Sequence, residues 1–214
     1  FHPRFSGGPH GTLREQLESL GGGLELSMLA AVPKGSGLGT SSVLASTLLG
    51  VLSDLAGFEW DAFEIMRRTT ALEQMLGSGG GWQDQAGSLF PGAKLIETDP
   101  GFEQRPTVRW LPSRFFEDSD LGGRSLLYYT GITRVAHSIL GQIVRGIFLN
   151  AADRIDVLGA IGKNAVAAYE AAQQQDAEAF AEAIRRSWEL NCRLDKGTNV
   201  PGVQSILDAC GDDL

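Results

Sequence analysis

The chain has 214 residues, 43% hydrophobic and 21% charged, with a net charge of −8. That is enough apolar material for one large domain or two small ones, and an acidic chain without a basic stripe argues against a nucleic-acid partner. Three histidines without HxH or HExxH spacing, two cysteines without a CxxC pair, and no apolar run near the ~18 residues of a membrane span argue against a histidine or thiolate metal centre, a disulfide framework and a spanning helix.

Cys192 and Cys210 read as reduced packing residues of a cytoplasmic protein. The chain opens at Phe1 rather than Met and stops at CGDDL, which leads us to expect a trimmed piece of a longer protein.

In chain order, a short helix is expected from Leu13 to Leu20 between glycine clusters, and LELSMLAAV alternates as a strand does. From Thr40 the pattern becomes helical, with Val43, Leu44, Thr47, Leu48, Val51, Leu52 and Leu55 on one stripe and Gly57 as the stop. Asp61 is the expected N-cap of a helix that ends at Gly77. A glycine-rich turn then carries Trp82, Gln83, Asp84 and Gln85. AKLIET and TVRWLP read as strands, Glu117 to Gly123 as an acidic loop, and RSLLYYTG as a buried strand. The remainder is helical: about Arg134 to Leu149, Asp153 to Gln174, Asp176 to Leu194 and Gly202 to Ala209. A soft domain boundary is expected in the acidic loop, giving domains 1–123 and 124–214.

The chemistry concentrates where the strand-like LSML gives way to PKGSGLGTSSV. A Walker A loop needs GxxxxGK(S/T), and here Lys34 precedes the glycines and none follows. A dinucleotide fingerprint needs a third glycine where Thr40 stands. A third reading is physical. Gly35, Gly37 and Gly39 let the backbone approach an anion, and the helix behind them offers unpaired amides and a positive dipole end. Thr40, Ser41 and Ser42 add hydroxyls. The competing reading is a glycine turn with Ser/Thr caps and no ligand. Asp84, between two glutamines, is either a turn cap or a carboxylate that orients an alcohol and takes its proton. Glu73 is either a solvated helix residue or a partner of that site.

Taken together, PKGSGLGTSSV and GGGWQDQAGS resemble the GHMP kinase superfamily, whose second motif runs approximately PxGxGLGSSA. LEQMLGSGGGWQDQAGSLFPGAKL and LLYYTGITRVAHSIL are similar to the L-fucokinases, including the kinase halves of bifunctional fucokinase/GDP-fucose pyrophosphorylases. The resemblance implies an α+β fold of two domains. The first is ribosomal-S5-like and the second ferredoxin-like with extra helices, and the site lies in the cleft between them. It implies ATP bound by Pro33, Gly35, Ser36, Gly37, Leu38, Gly39, Thr40, Ser41 and Ser42, and Mg²⁺ held by Ser41 and Glu73. Asp84 would be the base, with Gly81, Trp82, Gln83 and Arg134 beside the sugar. The implied reaction is phosphorylation of L-fucose to L-fucose 1-phosphate, with a fused nucleotidyltransferase domain in the parent. The superfamily's first and third motifs are absent from this sequence, which fits truncation and weak or absent activity of the piece alone. The alternatives are a heptose 7-phosphate kinase, with Arg67, Arg68, Lys94 and Arg134 as added cations, a non-catalytic sugar- and nucleotide-binding relative, and a plain interaction domain.

Overall fold

The computed structural model describes residues 12–19, 21–33, 35–77, 80–101, 105–117, 120–131, 143–149 and 152–211. The chain forms two compact units, Phe1–Phe90 and Pro91–Leu214.

The first unit is helical. Helix α1 spans Leu13–Ser19. Thr12 and Glu15 cap it reciprocally, the Thr12 hydroxyl accepting from the Glu15 amide and the Glu15 carboxylate from the Thr12 amide. Helix α2 spans Thr40–Ala56 between two left-handed glycines, Gly39 and Gly57. Helix α3 spans Ala62–Met75, and the Asp61 side chain caps it by accepting from the Glu64 amide at 2.8 Å. Helix α4 spans Gln83–Leu89.

Helices α2 and α3 meet along a seam of small and polar side chains. Ser42 Oγ donates to Glu73 Oε1 at 2.8 Å, and one turn on, Ser46 Oγ donates to Thr69 Oγ1 at 3.2 Å. At Gly50 an added Cβ would lie 3.7 Å from Ile65 Cδ1, and Ser53 Oγ accepts from the Trp60 amide at 3.1 Å. The stripe expected to pack is therefore not the buried one: Val43, Val51 and Leu55 are exposed, while Ser42, Ser46 and Ser53 are buried. Small residues let the two backbones come close, so the polar side of α2 faces α3. Apolar burial comes from Met66, Ala86 and Phe90, with the Phe63 ring 4.6 Å from that of Phe90.

The second unit combines a small sheet with helices, as an α+β chain should. Strands β1 (Lys94–Glu97) and β2 (Thr107–Trp110) pair antiparallel, Leu95 opposite Arg109 and Ile96 opposite Val108. Two short helices follow, α5 (Arg114–Glu117) and α6 (Asp120–Arg124), where an acidic loop was expected. Residues 143–148 are helical. Helix α7 spans Ala152–Gln173 and α8 spans Ala177–Leu194, with Asp176 as the N-cap of α8. Helix α9 spans Pro201–Cys210 and starts on its proline. Val157, Leu190 and Leu194 form one core cluster between α7 and α8. Phe115 and Ala172 form another, joined by Phe116 and Phe180.

Two expected strands are not strands. Residues 24–32 belong to no strand, and Leu29 is 89% exposed. Residues 125–131 likewise belong to no strand, and Leu126 is 89% exposed, not buried. An alternating pattern makes a strand only where a neighbour completes the hydrogen-bond ladder. Among the described residues, β1 and β2 pair with each other and not with these segments. Asp84 lies in a helix rather than a turn. An acidic residue in a first turn complements the helix dipole. Among the described residues, no helix is long and apolar enough to cross a membrane.

Candidate functional site

All three alternating glycines are left-handed, with φ of 73° at Gly35, 79° at Gly37 and 65° at Gly39. Side chains other than glycine rarely take that conformation, so this spelling of the loop is required by its backbone. The Ser36 amide closes a turn onto the Pro33 carbonyl at 3.2 Å. Gly39 is the N-cap of α2 and has no side chain with which to cap it. The amides of Thr40, Ser41 and Ser42 thus open the helix without a capping side chain from Gly39, at the positive end of a 17-residue dipole. Pro33, Gly37, Leu38 and Ser41 are exposed, while Ser36 and Thr40 are half-buried. Lys34 lies outside the described residues.

Asp84 comes to this helix end from α4. A Cβ built on Gly39 would stand 3.3 Å from Asp84 Cβ and Cγ and 3.7 Å from Oδ1. The missing side chain at position 39 is what lets the carboxylate lie over the glycine loop. Two motifs about 45 residues apart in sequence therefore share one corner. Asp84 itself is exposed, as are Gly81 and Gln83, and Trp82 is half-buried at the N-cap of α4.

Glu73 approaches from the last turns of α3. Its Oε1 accepts from Ser42 and its Oε2 from the Gln85 amide. Of the two serines, Ser42 turns toward Glu73 and is buried, while Ser41 is exposed. Adjacent residues on a helix point about 100° apart, so one hydroxyl faces α3 and the next faces out. Gly39, Ser42, Glu73, Asp84 and Gln85 are thus brought together. Arg134 lies outside the described residues. Ser42 and Gln85 are the partners of Glu73 that the sequence reading missed. One signal for Gln85 exists: with Ala86 and Leu89 of α4 and Phe90 at its C-terminal cap it sits on the inward side, a polar residue among apolar ones.

The donor set suits a hard cation. It consists of carboxylates and hydroxyls, all oxygen. Among the described residues no group of three or more His, Cys, Asp or Glu side chains forms a protein-only metal cage. Mg²⁺ commonly takes one or two carboxylates and completes its shell with water and substrate phosphate. A carboxylate has about four lone-pair positions, so Glu73 can accept from Ser42 and Gln85 together.

Of the candidate extra cations, Arg67, Arg68 and Lys94 have partners of their own. Arg67 and Arg68 both bridge to Glu64 at 2.7 Å, and the Arg68 guanidinium stacks 3.9 Å from the centre of the Trp60 ring. Lys94, in the second unit, donates to the Gly92 carbonyl at 3.0 Å, and partial burial holds its amine below the usual lysine range.

Residues 10–92 match the family model for the GHMP kinases N terminal domain. The chain is 47% identical over 212 residues to an "L-fucokinase/L-fucose-1-P guanylyltransferase" of Bacteroides fragilis, covering 99% of this chain and 22% of that protein. It is 34% identical over 179 residues to a "Bifunctional fucokinase/GDP-fucose pyrophosphorylase" of Arabidopsis thaliana, covering 81% of this chain and 16% of that protein. It is 30% identical over 158 residues to a "D-glycero-alpha-D-manno-heptose 7-phosphate kinase" of Campylobacter jejuni, covering 73% of this chain and 45% of that protein. The chain therefore spans about a fifth of the length of the first two relatives and under half of the third.

Proposed function

The chain belongs to the GHMP kinases, and from that premise we propose that it is part of an ATP-dependent sugar kinase that phosphorylates L-fucose to L-fucose 1-phosphate. The observation that carries this reading is the approach of Asp84 to Gly39, which sets a carboxylate beside a glycine-framed helix N-terminus. The family likeness supports reading this corner as the ATP site, and the 47% identity to a fucokinase favours fucose over a heptose phosphate. The engagement of Arg67 and Arg68 with Glu64 favours it too, since a heptose 7-phosphate brings an extra dianion that calls for available cations.

In this reading the amides and hydroxyls from Gly35 to Ser42 bind the phosphates of ATP. Mg²⁺, held by Glu73 with a hydroxyl of Ser41 or Ser42, supplies charge neutralisation on those phosphates. Asp84 orients the sugar hydroxyl and accepts its proton. Gly81, Trp82 and Gln83 line the sugar, Trp82 stacking on its apolar face, and Arg134 completes the set. Phosphoryl transfer asks the protein mainly for positioning and electrostatic stabilisation, and these residues provide both. Residues 1–123 would form the ATP-binding domain, and 124–214 part of the second, within a parent that carries a fused nucleotidyltransferase.

The test is ADP release by the parent protein with Mg-ATP and a panel of L-fucose, D-galactose, D-mannose, L-arabinose and heptose 7-phosphate. Turnover with L-fucose is expected, falling by about 10²–10⁴ in Asp84→Asn. Turnover confined to heptose 7-phosphate would overturn the substrate. Mg-ATP binding without turnover of any sugar would overturn the kinase reading in favour of a non-catalytic relative.

A further inference from the structure

Gln85 follows Asp84 directly and is 1% exposed. Its Nε2 donates to Glu73, while its carbonyl oxygen is buried without a donor among the described residues. A glutamine kept only for packing would be better replaced by an apolar residue of the same shape, because a buried unpaired carbonyl is destabilising. A glutamine kept to hold a carboxylate tolerates that cost.

We propose that Gln85 is a positioning residue whose amide, together with the Ser42 hydroxyl, fixes the Glu73 carboxylate in the orientation that receives a divalent cation. The proposal rests on the reading of this corner as a Mg-ATP site. Three facts support it. A glutamate side chain has several rotatable bonds, and donors from two other helices, Ser42 of α2 and Gln85 of α4, select one orientation before any ligand arrives. The amide is uncharged, so it orients Glu73 without cancelling the negative charge a cation needs. An arginine or lysine at the same place would cancel it. Finally, Asp84 and Gln85 are adjacent in the first turn of α4, so one helix start sets both Asp84 over Gly39 and the aim of Glu73.

The experiment is a titration of the parent protein with Mn²⁺ at fixed ATP, read by the paramagnetic resonance of free Mn²⁺ against the same ATP concentration without protein, with thermal melts in parallel. The proteins are the wild type, Gln85→Met and Gln85→Glu. Methionine keeps the length and removes the donor. Glutamate keeps the shape and turns the donor into an acceptor. The expected result is that either variant needs about tenfold more Mn²⁺ for half-saturation, the usual size of an effect on a ligand's hydrogen-bond partner, with the melting temperature of Gln85→Met within a few degrees of wild type. A purely structural role predicts the reverse, a shifted melting temperature at unchanged Mn²⁺ dependence, and that result in either folded variant overturns the proposal. A wild type that takes up no Mn²⁺ beyond what ATP alone takes up overturns the reading of the site itself, a different outcome.

Discussion

The α2–α3–α4 region and the α7–α8 pair are both helix packings, but they are held together differently. Between α7 and α8 the buried side chains are apolar, Val157, Leu190 and Leu194, with Ile143, Leu158 and Ile161 against them. A single cross-helix hydrogen bond illustrates the contrast, Asn164 Nδ2 donating to the Ala183 carbonyl at 2.7 Å. Between α2, α3 and α4 the buried positions include Ser42, Ser46, Ser53, Thr69 and Gln85. Hydrophobic burial is non-directional and tolerates small slips. A ladder of hydroxyl and carboxylate contacts at one-turn intervals fixes the register and rotation of each helix. The first arrangement suits a region that contributes stability, and the second suits one that must hold Glu73 and Asp84 at defined places.

That contrast predicts where substitutions are felt. The largest stability effect should come from Leu190→Ala, at a site that is 0% exposed. Truncating a buried leucine costs about 2–5 kcal/mol, and thermal or urea unfolding should show it. A loss under about 1 kcal/mol would mean that the α7–α8 pair is not held by its apolar core, on the scale of such truncations.

Gly39→Ala comes next in stability and should do more to binding. Alanine must adopt φ near 65°, which costs about 1–2 kcal/mol, and its Cβ would press on Asp84 at 3.3 Å. Expected are a modest drop in melting temperature and a large rise in the ATP concentration needed for half-saturation. Unchanged ATP binding would detach the glycine loop from the function proposed for it.

Much of this arrangement is legible in the sequence because its signals are local. Gly39 and Gly57 bracket α2, Asp61 caps α3 and Asp176 caps α8, each by chemistry that needs no distant neighbour. The short strands β1 and β2 also fall within their expected segments. The short helices α4, α5 and α6, expected as turn and loop, are local failures, and the others are non-local. The alternation in 24–32 and the apolar run in 124–131 say nothing about whether a partner strand is available. The stripe of Val43, Val51 and Leu55 is genuine, but which face of α2 meets α3 depends on how closely the two backbones approach. For the site, spelling revealed Gly35, Gly37, Gly39 and Asp84, because positive φ and a carboxylate between glutamines leave a mark on composition. It did not show that Ser42 rather than Ser41 turns to Glu73, since that depends on the rotation of α2 about its axis.

The smallest expected effect is the most pointed test of the contrast. Thr69 is 0% exposed, donates to the Ile65 carbonyl at 2.8 Å and accepts from Ser46 at 3.2 Å. Thr69→Val keeps the shape and removes this rung, one turn below the Ser42–Glu73 contact. If the seam is held by its hydrogen bonds, unfolding should show a loss of about 1 kcal/mol, because Ser46 loses its acceptor while still buried. The Mn²⁺ dependence should also rise, by less than in Gln85→Met, because Ser42 and Gln85 still donate to Glu73. A higher melting temperature would say the opposite: that close packing of small side chains already fixes α2 on α3, and that the first unit is built on the same apolar principle as the α7–α8 pair.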